Sequence, residues 1–273
     1  MFKIPRDSKI LSISHNDLDG VGSQIVLGNV FENIIFVNSG FYNLDEKLET
    51  LNYDKYDYVI ITDVHPENKN LLYLSDKIIL IDHHPSDMNS PKHNHHVLNK
   101  GVCATTLVKH YVEKMHDIKL THLDEFVRLV NDYDMWELTD PRSKNLNDLL
   151  FGMYQMVKFR KEFMNGKVDF NETELAWLED YEDRFQKTYA KLDVFDFENI
   201  NACICNAGHF INEISHNLME DENYDIVFIR NPNTERVSVR SDNDDVNLGK
   251  ILEEFGYGGG HAAAAGMFCS DLE

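Results

Sequence analysis

The sequence is poor in positive charge. Of its 273 residues, 26 are Lys or Arg and 47 are Asp or Glu, a formal net charge of −21. So acidic a chain argues against a basic groove tracking a long nucleic-acid backbone, because Lys and Arg contacts to phosphate supply most of that affinity. Small anionic substrates stay open, since metal ions and a few local cations invert the field inside a pocket. Cysteine is scarce too. Cys103, Cys203, Cys205 and Cys269 match neither a CxxC redox pair nor a zinc ribbon, and read as free thiols of a reducing cytoplasm. No apolar run is long enough for a transmembrane helix, so no membrane partner is expected. The N-terminal MFKIPRDSK lacks the apolar stretch and cleavage site of a signal peptide, and a cytoplasmic location is expected. Internal repeats and low-complexity tails are absent.

What is present is ordinary globular composition, 42% hydrophobic and 27% charged, on a chain sufficient for one large domain or two modest ones. Residues 10–14, 34–38, 58–62 and 77–81 are short, β-branched and nearly continuous in apolar character, as strands covered on both faces are. Helix-like segments separate them, which predicts a parallel α/β sheet with crossovers. Helices are predicted at 20–27, 105–115 and 123–130, then over 146–165 and 171–192. The last carries a stripe of Leu175, Leu178, Tyr181, Phe185 and Tyr189. A second α/β unit is predicted from about 200, with strands at 201–205, 224–230 and 236–240, the latter two joined by Asn231-Pro232-Asn233 as a hairpin. Helices at 209–219 and 248–255 complete it. The expected organisation is therefore a domain at 1–140, a helical connector at 141–195 and a smaller α/β domain at 196–273.

Three of the first four strands end in acids or imidazoles: His15-Asn16-Asp17-Leu18-Asp19-Gly20, then Asp63-Val64-His65, then Asp82-His83-His84. Parallel sheets bind ligands at the carboxyl ends of their strands, so these groups are expected to converge. Clustered carboxylates away from water call for cations. In extended backbone, residues i and i+2 point the same way, which lets His15, Asp17 and Asp19 face one place. Asp63 is placed to bridge two ions, His83 to complete the second site, and Asp132 to reach it from the helical side. Mixed oxygen and imidazole ligands suit Mn, Mg, Fe or Zn, and a pair of such ions suits phosphate-ester hydrolysis. Taken singly, Asp17 or Asp19 also reads as a helix N-cap. His65, before Pro66, reads as a loop residue, and the histidines between 93 and 96 read as a surface loop.

These segments resemble the DHH phosphoesterase superfamily, with HNDLDG as its first motif, the Asp63 segment as its second, DHH at 82–84 as its third and NDYDMW at 131–136 as its fourth. GYGGGHAAAAG at 256–266, with VSVRS at 237–241, resembles the associated DHHA1 domain. The resemblance implies a parallel-sheet N-terminal DHH domain joined to a smaller DHHA1-type α/β domain, and is closest to the oligoribonuclease or nanoRNase branch. It implies two divalent cations, Mn2+ first, held by His15, Asp17, Asp19, Asp63, His83 and Asp132, with Asp134 an open alternative to Asp132. His84 is implied at the scissile phosphate, and Asp82 behind the imidazoles. Arg240, Gly258, Gly259, Gly260 and His261 are implied in substrate binding, the glycine amides forming a loop for an anion. Tyr257 replaces a glycine usual in the family's block and offers a ring beside a base, as do Tyr133, Trp136 and Phe41. The implied substrate is a short single-stranded RNA or a dinucleotide rather than a long duplex, with cyclic dinucleotides, 3′-phosphoadenosine 5′-phosphate and single-stranded DNA as alternatives, and a non-catalytic nucleotide sensor as the alternative of another class. A homodimer is compatible with it.

Overall fold

The computed structural model describes residues 3–84, 96–99, 101–243, 245–260 and 262–268. The chain divides into two compact units, Met1–Leu178 and Glu179–Glu273.

The first unit is built on a parallel sheet of β1 (Lys9–Ser14), β2 (Asn33–Asn38), β3 (Tyr58–Thr62), β4 (Ile78–Asp82) and β5 (His96–Leu98), in the order β2-β1-β3-β4-β5. Side chains alternate across each strand, so the sheet carries two cores. Ile10, Ile60, Ile79 and Ile81 face one side. There they meet α1 (Leu18–Gly28), α3 (Ala104–His116), α4 (Asp124–Asp134) and α6 (Gln155–Phe163). Leu11, Ile13, Val59, Ile61, Ile78 and Leu80 face the other, under Leu44 and Leu48 of α2 (Phe41–Thr50). The four central strands match the expected runs, because continuous β-branched residues suit strands buried on both faces. The edge strand β5 was not expected.

The strand order reverses direction at β1, which pairs with both β2 and β3. The crossover from β1 to β2 and that from β2 to β3 run in opposite directions, so the switch point lies between β1 and β3, where sheets of this kind bind ligands at their carboxyl ends.

One predicted helix is two. The 146–165 segment is split between α5 (Pro141–Asp148), a π-turn at Leu149–Tyr154, and α6. Gly152 lies where a Cβ would come within 2.2 Å of the Trp177 ring, so the bulge admits an indole from α7 (Glu172–Tyr189). The stripe read along α7 divides as well: Leu178 packs in the first unit and Phe185 in the second, while Leu175 is exposed.

The second unit is a mixed sheet in the order β10-β11-β9-β8-β7-β6. Its strands are β6 (Val194–Asp196), β7 (Ala202–Asn206), β8 (Ile226–Arg230), β9 (Arg236–Ser241), β10 (Gly258–Gly260) and β11 (Ala264–Phe268). Helix α8 (Ile211–Asp221) contributes Ile214 and Leu218 to a core with Cys203, Cys205, Val227 and Ile229. Helix α9 (Leu248–Phe255) sets Leu248 and Leu252 against Val237, Val239, Ala265 and Met267. The hairpin β8–β9 forms as expected. No described helix is long and apolar enough to cross a membrane.

Candidate metal centre

The site is assembled by strand ends. A buried hydroxyl ladder leads to it, with Ser14 and Thr62 at 2.5 Å across β1 and β3. Beyond Ser14 the chain turns into α1 through His15, whose amide bonds Thr62 O at 3.3 Å and whose carbonyl accepts from Asn38. Asp17 caps α1, its Oδ1 accepting from Gly20 N at 2.9 Å, while Oδ2 meets His15 Nδ1. The turn demands glycine at 20, where a Cβ would lie 2.2 Å from His15 O. Asp19 is buried and accepts from Ala104 N and Thr105 N, both at 2.7 Å, so one carboxylate caps α3 from across the core. Asp17 is thus the N-cap of the helix that follows it, whereas Asp19 lies inside that helix and gives both of its oxygens to the N-terminus of α3.

Asp63 follows β3 with φ of 60°, a left-handed conformation that a non-glycine residue holds at a cost and that often marks a functional site. It turns the carboxylate between two imidazoles, Oδ2 at 3.9 Å from His15 Nδ1 and Oδ1 at 3.4 Å from His83 Nε2. His83 Nε2 also lies 3.4 Å from Asp134 and 3.8 Å from Asp19. Asp82, wholly buried at the end of β4, receives His84 Nδ1 on Oδ1 at 2.6 Å and has His65 Nδ1 3.5 Å from Oδ2.

Ligand atoms fall into three overlapping groups, each within 4.8 Å: His15–Asp17–Asp63, Asp19–His83–Asp134, and Asp63–Asp82–His83–His84. The fourth acid is Asp134, the alternative left open above. Asp132 is turned to the segment after α4, where it accepts from Thr139 N at 3.0 Å, Thr139 Oγ1 and Asp140 N at 3.2 Å. Two residues on a helix are about 200° apart, so both carboxylates cannot serve one site. A signal for this was present: Val127, Val130 and Asp134 continue one apolar stripe at helical spacing. His65 was also passed over. It packs edge-on against Phe41, with ring centroids 5.4 Å apart, and its spacing from Asp63 repeats that of Asp19 from Asp17.

Electrostatics follow from crowding. Burial, and then the charges of Asp17, Asp19, Asp134 and Asp82, push the Asp63 carboxyl well above the usual range. Burial does the same to Asp134, reinforced by Asp19, Asp17 and Asp82. For Asp17 desolvation opposes ionisation, but the His15 imidazole outweighs it and holds the carboxyl below its usual range. Burial lowers His83, whereas for His84 the bond to Asp82 overcomes burial and raises it. Imidazoles alone do not neutralise this set. Asp63 Oδ2 and Asp134 Oδ2 are buried without a hydrogen-bond donor. Orphaned oxygens beside imidazoles fit divalent cations, and Asp63 faces both outer groups.

The substrate-binding expectations fall in the second unit. Arg240 donates from Nη2 to Asn212 Oδ1 at 3.0 Å and from Nη1 to Val239 O at 3.0 Å. The glycine run is an extended strand rather than a loop. Gly258 and Gly260 have φ of 145° and 150°, and a Cβ on either would strike a β11 carbonyl at 2.1 and 2.5 Å. Gly259 pairs with Gly266 between them. His261 and the histidines at 93 and 95 lie outside the described residues. Of the candidate rings, Trp136 and Tyr257 are exposed, and Tyr133 packs against the first unit's core.

Comparison with known proteins identifies two family domains in the chain. The DHH family N-terminal domain matches residues 9–131, and the DHHA1 domain matches residues 207–273. Oligoribonuclease NrnB of Bacillus subtilis is 29% identical, over 94% of this chain and 72% of its own. A 3′,5′-cyclic-nucleotide phosphodiesterase of Helicobacter pylori is 27% identical over 47% of this chain and 44% of its own. Among solved structures, RecJ in complex with Mn2+ from Thermus thermophilus superposes with a TM-score of 0.57 at 14% identity, covering 96% of this chain and 49% of that one.

Proposed function

We propose, given that the chain belongs to the DHH family of phosphoesterases and carries a DHHA1 domain, that it hydrolyses short oligoribonucleotides to 5′-mononucleotides with two divalent cations, Mn2+ first among them. The observation carrying the reading is the convergence of Asp17, Asp19 and Asp63, with Asp134 from the end of α4, on His15 and His83 at the ends of β1, β3 and β4.

His15, Asp17 and Asp63 would hold one cation; Asp63, His83, Asp19 and Asp134 would hold the other. Ions there would polarise a phosphate ester and lower the pKa of a water, the chemistry hydrolysis requires. The chain's residues do the rest. Asp82 fixes the His84 ring through Nδ1, directing its other nitrogen outward as a donor to a phosphate oxygen. His65 braces the other Asp82 oxygen. Asp19, tied to the N-terminus of α3, keeps its carboxylate rigid. In the second unit, Arg240 and the glycine strand offer guanidinium and backbone donors to an anion.

The preference for short RNA draws on similarity to an oligoribonuclease over nearly the whole chain and on the net charge of −21. The cyclic-nucleotide phosphodiesterase match gives a second reading, with the same chemistry on a cyclic phosphodiester. A cytoplasmic setting suits either. The deciding experiment is product analysis with Mn2+ on two- to five-residue RNA, long single-stranded RNA and DNA, and cyclic nucleotides. Release of 5′-mononucleotides from the short RNAs at the highest kcat/KM supports the first reading. Preference for a cyclic substrate moves the assignment to the second, and processive loss of long DNA overturns both.

A further inference from the structure

Directly after Asp134 the first unit makes a short loop that the metal reading does not use. Trp136 and Leu138 both lie in the left-handed region, with φ of 56° and 47°. Bulky residues hold that conformation at a cost which the surrounding structure must offset. The last turn of α4 offsets it. Met135 N donates to Asn131 O at 2.9 Å, Trp136 N to Tyr133 O at 3.1 Å, and Glu137 N and Leu138 N to Asp132 O at 2.9 and 3.2 Å. Thr139 N and Asp140 N then donate to the two oxygens of the Asp132 carboxylate, at 3.0 and 3.2 Å. Every amide from 135 to 140 is thus held by residues 131–133, and the loop is rigid as well as strained. What it carries is an indole. Trp136 is 44% exposed and meets Tyr133 in a T-shaped contact, with ring centroids 5.6 Å apart, while Tyr133 packs on the core beneath.

One exposed ring is ordinary on a protein surface. A ring fixed by a strained loop, two residues beyond a carboxylate that faces His83 at 3.4 Å, is not. Two Cα steps place Trp136 at most about 7.6 Å from Asp134, so a phosphate at the cations and a base on the indole fit within one nucleotide. Of the rings the sequence offers in this unit, Phe41 and Tyr133 are half-buried and Trp136 is exposed. We propose that Trp136 stacks the base of the nucleotide whose phosphate meets the cations, and that Asp132 is the positioning residue that fixes the ring. The inference rests on the phosphodiesterase reading above and adds base recognition within the first unit alone. It gives Asp132 a task distinct from that of Asp134: its carboxylate holds the loop. Stacking tolerates every base, because every base has a π-face. The ring therefore selects nucleotides over sugar phosphates, not one base over another.

The test uses the whole protein with Mn2+ and calorimetric titration of two probes, 5′-AMP and ribose 5-phosphate, which carries the same phosphate without a base. Wild type should bind 5′-AMP about tenfold more tightly than ribose 5-phosphate, the worth of one base on a ring. Trp136→Ala should weaken 5′-AMP about tenfold and leave ribose 5-phosphate unchanged. Trp136→Phe should keep most of the difference because a ring remains. Trp136→Gly controls for folding: glycine suits φ of 56°, so the loop is relieved, and the variant should keep its melting temperature and Mn2+ stoichiometry while binding 5′-AMP weakly. Asp132→Asn, which loses one acceptor oxygen, should fall between wild type and Trp136→Ala for 5′-AMP alone. Equal weakening of both probes in Trp136→Ala makes the loop structural and overturns the proposal. Unchanged binding of both probes, or a wild type that does not distinguish them, overturns it too. Cleavage of two-residue RNA by wild type, measured in parallel, judges the oligoribonuclease reading separately. Its absence with the 5′-AMP preference intact sinks that reading and leaves the stacking ring standing.

Discussion

At the residue scale, the distinction between Asp132 and Asp134 is one of direction. Asp132 accepts three hydrogen bonds from Thr139 and Asp140, and these outweigh burial to hold its carboxyl below the usual range. Asp134 Oδ2 has no donor and faces His83. Asp134→Asn is therefore expected to weaken Mn2+ binding at least tenfold and lower kcat by about 10² or more, with thermal stability kept or raised when metal is absent. Asp132→Ala should instead cost about 1–3 kcal/mol of stability and leave metal stoichiometry unchanged in calorimetric titration. The opposite pattern would exchange their roles. A second carboxylate reports on acid stability. Burial of Glu113 opposes its ionisation, but the Leu120 amide, Lys109 and Lys119 bring its pKa down to about 2. Its contribution is present above the ordinary glutamate range and is lost as pH falls toward 2, because only the unfolded state takes up the proton first. Glu113→Gln should remove about 2 kcal/mol at pH 7 and almost nothing near pH 2, measured by urea melts.

At the scale of elements, helices begin where strands deliver carboxylates. Asp17 caps α1 and Asp19 caps α3, so the groups proposed to hold cations also fix the helices around them. Gly20 makes the first of these turns possible. Gly20→Ala would place a methyl 2.2 Å from a carbonyl oxygen; an expected loss of about 3 kcal/mol or more, with metal binding impaired, is checked by denaturant melts and Mn2+ titration. A stable variant with full affinity would show that the turn relaxes freely. This coupling explains what was legible. Strands β1 to β4 announce themselves because residues buried on both faces must be apolar and β-branched, and their ends are conspicuous because acids interrupt that pattern. Strands β5 and β6 span three residues each and carry no period to read. Strand β10 is three glycines, whose strand propensity is poor, and exists because β11 supplies a ladder at close approach. The π-turn was hidden because its cause, the Trp177 ring at Gly152, is distant in sequence. Asp134 was readable from the helical stripe, whereas the embrace of Asp82 by His65 and His84 needed the sheet to bring two strand ends together.

At the scale of the whole molecule, stability should be divided as the cores are. The first unit surrounds its sheet with two apolar clusters and gathers five carboxylates, four from the strand ends and Asp134 from the end of α4. The second has its own two clusters and none of those carboxylates. Two calorimetric transitions are expected, and cations should act on one. A ligand at a hundredfold excess over its Kd stabilises by about 2.7 kcal/mol, which for a unit of this size raises Tm by roughly 5–10 °C. Mn2+ should therefore lift the first unit's transition by about that amount and leave the other in place. Proton linkage gives the same assignment an independent sign. With cations chelated, Asp63 and Asp134 have carboxyls raised above their unfolded values. The folded state then binds more protons than the unfolded one, so stability falls as pH rises from the ordinary carboxylate range toward neutrality. With Mn2+ saturating, cations replace those protons, and the first transition should instead rise with pH over the same window, because ligation needs deprotonated groups. A first transition with the same pH slope with and without Mn2+ would place the cations somewhere other than these carboxylates. A shift of both transitions together would show that the two units unfold as one.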